Sequence, residues 1–172
     1  GQRDQNFYLR STQVGTYNFE FEWDQTPHLA STSGRTLGTT TGPGVYTLPS
    51  PRPTNAEWNA APFIDRIAVQ WDTARFQMSY QPSKEWDVSW NYNWIMKGGD
   101  RPLGMAFGTP GGNFREILEP VEHDVHDFQF TTRYAKEKYQ LQFNYNLSVF
   151  ENDLDSVASD NPASATNGAF TA

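Results

Sequence analysis

Tyr139-Gln-Leu-Gln-Phe-Asn-Tyr-Asn-Leu-Ser-Val149 alternates large apolar and polar side chains without a slip. Tyr139, Leu141, Phe143, Tyr145, Leu147 and Val149 fall on one side; Gln140, Gln142, Asn144, Asn146 and Ser148 fall on the other. Successive side chains of a strand point to opposite faces, so this period of two predicts a β-strand with one greasy and one wet face. A length of about 10 residues is what a tilted strand needs to cross a bilayer. The first expectation is therefore a strand of an outer-membrane β-barrel.

The same pattern recurs in pairs. A strand over about Asn6 to Thr12 turns at Gln13-Val14-Gly15 into Thr16 to Asp24, where Tyr17, Phe19, Phe21 and Trp23 oppose Asn18, Glu20, Glu22 and Asp24. Ala74 to Tyr80 turns through residues 81–85 into Trp86 to Met96, where Trp86, Val88, Trp90, Tyr92 and Trp94 oppose Asp87, Ser89, Asn91 and Asn93. Val125 to Tyr134, carrying Gln129 and Arg133, is joined by residues 135–138 to the strand that begins at Tyr139. Three hairpins with short turns result. Ile67, Val69 and Trp71 have the opposite parity to Ala74, Phe76 and Met78, so a bulge or break is expected near Asp72-Thr73. Long stretches rich in Thr, Gly and Pro, Gln25 to Asp65 and Lys97 to Asp124, read as irregular loops, and residues 153–172 as a loop or disordered tail.

The fold class expected for 1–172 is thus all-β, an antiparallel transmembrane β-barrel segment of about six strands within one domain, with short periplasmic turns and long outward loops. Six strands fall short of the ~8 of the smallest usual barrel, so further strands outside this sequence, or a different packing, are expected. No charged and apolar leader opens the chain, which fits a leader removed or an internal segment.

Composition narrows function. Aromatics make up 15% of the chain, yet no run approaches the ~18 apolar residues a spanning helix needs, so a helical membrane protein is excluded. A net charge of -7 argues against a nucleic-acid partner, whose phosphates demand clustered Lys and Arg. With no Cys, covalent haem attachment and thiolate metal sites are excluded, so any haem belongs to another chain. The polar faces cannot meet lipid without unpaired polar groups, and must meet water or protein. Their residues are the candidate lumen-facing contacts: Asn18, Glu20, Glu22, Ser89, Asn91, Asn93, Gln129, Arg133, Gln140, Gln142, Asn144 and Asn146.

Other clusters read as ordinary surface. Glu122, Asp124 and His126 would share a strand face near Glu119, His123 and Asp127, a possible divalent site, but a solvated loop entering a strand explains them. Asn152, Asp153, Asp155 and Asp160 lack the central Gly of a calcium loop. Glu116 with Glu119, and Ser31 and Ser33 with His28, carry no further sign of glycoside hydrolysis or nucleophilic catalysis, so no enzyme is expected. The stripe Glu20, Glu22, Asp24 reads equally as a charged lumen wall or a solvated sheet face.

Thr26-Pro-His-Leu29, Arg35-Thr36, Arg101-Pro-Leu-Gly104, Glu119-Pro-Val-Glu122 with His126, and Ser148-Val-Phe-Glu-Asn152 occur in an order and spacing that resemble one family. It is the decahaem-cytochrome-associated outer-membrane β-barrel family, the MtrB/PioB type. Two features depart from it: Tyr139 stands where Trp is expected, and the paired Cys near the start of some members is absent. The resemblance implies a large barrel of the bacterial outer membrane that sheathes a periplasmic decahaem cytochrome c, with an extracellular multihaem cytochrome as a further partner. It implies no cofactor in this chain, the haems lying on the cytochrome, and a role in extracellular electron transfer. Two alternatives from the residues alone are a general porin-like channel and a soluble β-sandwich carbohydrate-binding module.

Overall fold

The computed structural model describes residues 4–49, 53–107, 113–161 and 169–171. In chain order they form β1 Gln5–Gln13, β2 Tyr17–Ser31, β3 Gly34–Arg35, β4 Thr39–Gly42, β5 Val45–Thr47, a one-turn helix α1 Asn55–Ala60, and β6 Phe63–Ile64. There follow β7 Ile67–Tyr80, β8 Trp86–Phe107, β9 Asn113–Lys136, β10 Tyr139–Asn152, β11 Ala158–Asp160 and β12 Ala169–Thr171. The chain is an all-β protein whose principal element is an antiparallel six-stranded sheet in the order β1-β2-β7-β8-β9-β10. All six expected strands are present. Contacts divide the chain into two compact units, the first Gly1–Pro27, Gln70–Lys97 and His123–Glu151, the second His28–Val69, Gly98–Glu122 and Asn152–Ala172.

In the first unit, sequence neighbours pair as hairpins because the connections are too short for anything else. β1 and β2 pair from Gln5↔Gln25 to Gln13↔Tyr17, and Gly15, at φ +74°, supplies the left-handed residue that closes the turn. Residues 81–85 join β7 to β8, and Glu137-Lys138 alone join β9 to β10, a tighter turn than the four residues expected. The hairpin ends also bond to one another. Gln81 N donates to Thr16 O at 2.7 Å and Ala135 N to Glu85 O at 2.8 Å, so all three lie along one end of the sheet.

Three boundaries depart from the sequence reading. β7 is one unbroken strand, with no break at Asp72-Thr73; Ile67 and Ala68 at its start are buried in the second unit, while Trp71, of opposite parity to Phe76, lies under the Lys97 ammonium, 3.9 Å from its ring. Much of the stretches read as irregular is extended, since β2 continues to Ser31, β8 to Phe107, and β9 begins at Asn113. Gly and Pro near these positions suggest loops, but long-range pairing overrides local propensity. The stretch after 152, expected as loop or disordered tail, holds β11 and the buried Val157.

The second unit has its own small sheet, β12-β11-β5-β4, in which β11 lies parallel to β5 and antiparallel to β12. Tyr46, Leu48, Met105, Ile117 and Val157 form its core. Leu48 N donates to Asp160 Oδ1 at 2.6 Å, and Ala158 N to Gly44 O at 2.8 Å, so the segment after 152 is bonded to β5 and its preceding turn. Ile117 is 2% exposed, the most deeply buried large side chain described. Ile117→Ala should destabilise this unit by about 2 to 5 kcal/mol. Hydrogen exchange at residues 45–48 and 158–160 should accelerate while β1 and β2 keep wild-type protection; unchanged exchange at both would show that this core does not hold the unit.

Candidate functional site

The six-stranded sheet of the first unit presents two chemically opposite faces. On one, aromatic rings run across five strands, from Phe19 on β2 to Phe76 on β7 at 5.2 Å, Trp90 on β8 at 5.3 Å, Phe128 on β9 at 5.7 Å and Tyr145 on β10 at 6.3 Å. These contacts are edge-to-face, the arrangement that ring quadrupoles favour. Two further ring pairs flank the row. Trp86 meets Tyr134 at 5.1 Å beside the turns, and Trp23 meets Trp94 at 6.5 Å farther along the strands. Trp86 and Trp94 are eight residues apart on β8, about 26 Å along a strand.

Beside Trp94 the face turns polar. His126 stacks on Trp94 and Tyr92 with interplanar angles of 11° and 14°, its Nδ1 hydrogen-bonded to the Tyr92 hydroxyl at 2.8 Å. Trp94 Nε1 donates to Asp124 at 2.8 Å. Asp124 and His126 thus point to one face, as the alternation requires, but their partners are β8 aromatics. Among the described residues no three His, Cys, Asp or Glu are grouped to hold a metal.

The opposite face carries hydrogen-bonded polar pairs. Arg10 meets Glu20 at 3.2 Å, Arg75 meets Glu22 at 3.3 Å, and Asn6 Nδ2 donates to both Glu22 and Asp24 at 3.3 Å. Two of the three acids of the β2 stripe thus meet an arginine, and Asp24 is held by the neutral Asn6 and Thr26. Asn18 accepts from Thr12 at 2.6 Å and donates to Glu20, Asn91 donates to Gln129 at 3.2 Å, and Gln142 to Asn144 at 3.2 Å. Arg75, Asn91, Asn93, Asp127, Gln129 and Asn146 help to line a shallow hollow of about 550 Å³. Asn93 Oδ1 is buried there without a partner among the described residues. Of the twelve candidate contacts, those on β2, β8, β9 and β10 named here are thus brought together; no side-chain bond is described for Ser89, Arg133, Gln140 or Asn146.

Sequence reasoning left Arg10, Arg75, Asp127 and Ser148 out of the candidate contacts of this face, although it set Arg75 and Ser148 on the polar sides of their strands. Asp127 accepts from Ser148 at 2.6 Å. The signal was available, since Asp127 has the parity of Gln129 and Arg75 that of Gln77, both on polar faces.

The remaining clusters take up structural work in the second unit. Arg101 grips Glu119 through two bonds of 2.5 and 2.9 Å, which raises its guanidinium above the ordinary range and removes Glu119 from any pair with Glu116. Ser31 Oγ accepts from Ser33 N in an ordinary turn, Asn152 caps Leu154, and Asp160 is bound to Leu48. Burial pushes the Asp100 carboxyl up, and burial with the charge of Asp100 pushes up the Tyr46 phenol.

A family model described as an outer membrane beta-barrel porin, MtrB/PioB, matches residues 1–172, the whole chain. The chain belongs to the MtrB/PioB family. Its place is the bacterial outer membrane, as an MtrB/PioB porin, and this is not a family of enzymes. No curated protein matches the chain. Membership explains why a face with Trp90 43%, Phe143 57% and Tyr145 47% exposed lies bare: a sandwich would bury such rings under a second sheet, whereas a barrel turns them to hydrocarbon.

Proposed function

We propose that this MtrB/PioB chain contributes barrel wall around a periplasmic multihaem c-type cytochrome and so supports electron transfer across the outer membrane, without catalysing a reaction itself. The observation that carries the reading is the two-faced sheet: an exposed aromatic face suited to lipid, backed by a polar face on which Glu20 and Glu22 are paired with Arg10 and Arg75 and most other groups are amides and hydroxyls. Unpaired polar groups in hydrocarbon cost several kcal/mol, so that second face turns to the lumen. Asn18, Glu20, Glu22, Ser89, Asn91, Asn93, Gln129, Arg133, Gln140, Gln142, Asn144 and Asn146 are then the residues that meet the cytochrome or the water around it.

The barrel's work is insulation and placement. It keeps lipid from the haems and fixes the cytochrome's depth, and an external multihaem cytochrome would dock on the outward side. The haem lies on the partner, consistent with a chain that has no Cys to attach it. Direction of electron flow follows from the potentials of the partners' haems.

Photo-cross-linkers at Asn91 and Asn144 in intact outer membranes should capture a haem-staining polypeptide, while those at Tyr92 and Tyr145 should not. Recovery of no haem-bearing adduct from the inward positions, with the barrel demonstrably folded, would leave a plain porin.

A further inference from the structure

The second unit carries an open groove that the barrel role leaves unused. It consists of two hollows of about 250 and 310 Å³, near the lower end of the ~300–1,000 Å³ of small-molecule sites, that share Thr36, Trp58 and Glu116 in their walls. Trp58, on α1, is 44% exposed, and its ring meets no other ring among the described residues. The Glu116 carboxylate is likewise exposed, and no described residue bonds it, in contrast to Glu119 in the grip of Arg101.

The helix that carries the indole is tied at both ends. At the start, Thr54 and Glu57 form a reciprocal capping box, whose bonds also draw the Glu57 carboxyl below the usual range. At the end, Arg35 Nη1 donates to the carbonyls of Trp58 and Asn59 while its guanidinium lies 4.0 Å over the Phe63 ring. A six-residue helix has little stability of its own, so these ties hold the backbone that carries the ring. An anchored backbone and the two side-chain torsions of a tryptophan leave little freedom to lose when the ring takes a ligand.

The geometry points to a binding site for a neutral saccharide chain, with one pyranose ring stacked on Trp58 and its hydroxyls donating to Glu116 and bonding Asn55 and Thr36. A pyranose combines an apolar C–H face with a rim of hydroxyls, which matches an indole bordered by a carboxylate, an amide and a hydroxyl. Charge selects the neutral class. The opposite charges of Glu116 and Arg35 in the walls leave the groove no net charge to favour acidic or cationic sugars, so its carboxylate, amide and hydroxyl are matched by the hydroxyls of a neutral one.

The test uses the full protein in lauryldimethylamine oxide micelles, a detergent without a sugar headgroup, on an array of neutral, uronic-acid and amino-sugar oligosaccharides. Neutral oligosaccharides should be retained over both charged classes. Trp58→Ala should weaken retention by about tenfold, Trp58→Phe by less, and Glu116→Gln several-fold. Both side chains are exposed, so the variants should keep the heat-modifiable mobility of the folded barrel. Three results would overturn the site: no neutral oligosaccharide retained, preferential retention of a charged class, or retention untouched by both Trp58→Ala and Glu116→Gln in folded protein.

Discussion

Phe143→Arg should destabilise the folded barrel in lipid vesicles by about 2 to 4 kcal/mol, whereas Asn144→Arg, one residue along β10, should cost a small fraction of that. The contrast follows from alternation. Phe143, 57% exposed, lies near the middle of the aromatic face, and a guanidinium there would have to enter hydrocarbon or deform the bilayer to reach water. Asn144 lies on the opposite face beside Gln142, where a cation meets amides and water. Urea unfolding of the two variants in lipid vesicles reads the difference directly. Equal costs would mean that the two faces of β10 see the same medium, and the lipid assignment of the aromatic face would fall.

Gly99→Ala should cost over about 3 kcal/mol in the second unit, combining ~1 to 3 kcal/mol of backbone strain with a collision that side-chain movement cannot relieve. Gly99 has φ +137°, a conformation that residues with a Cβ rarely adopt, and an added Cβ would run into the carbonyl oxygen of Ala68 and lie 3.2 Å from Cα of Val69. The obstacle is backbone, so a strand would have to move. Gly98→Ala is the internal control: its Cβ would meet nothing within 4 Å and its φ is ordinary, so it should change stability by less than about 1 kcal/mol. Thermal unfolding followed through exchange in the second unit should separate the two variants. Similar behaviour of both would show that β7 and β8 do not approach at this point as described.

The pairing of charges on the polar face changes how its acidic stripe is understood. In sequence, Glu20, Glu22 and Asp24 look like a negative wall awaiting a cationic partner. In the sheet, Arg10 and Arg75 answer the first two, and Asn6 bridges Glu22 and Asp24. Exposed ion pairs of this kind contribute only about 0 to 1 kcal/mol of stability, so their effect here is on the field: they leave a wall whose free hydrogen-bonding groups are largely amides and hydroxyls.

What the sequence by itself determined is everything decided by the residue next door or two places on. The alternation from Tyr139 to Val149 and its counterparts specify six strands, their two faces and three hairpins, because a strand's side-chain direction repeats every two residues and a short turn leaves its flanking strands no other partner. The ordered loop motifs likewise pointed to the family that the whole chain matches. Only the tertiary structure decided what the long connections do. Leu48 bonds Asp160 from 112 residues away, Ser159 meets Met105 across 54, and Glu22 finds Arg75 across 53. Nor does any local pattern show that Trp58 and Glu116 wall the same groove. Such contacts are set by strand order and by the closure of long loops around a shared core, terms whose free energy belongs to the assembled chain and to no short window of it.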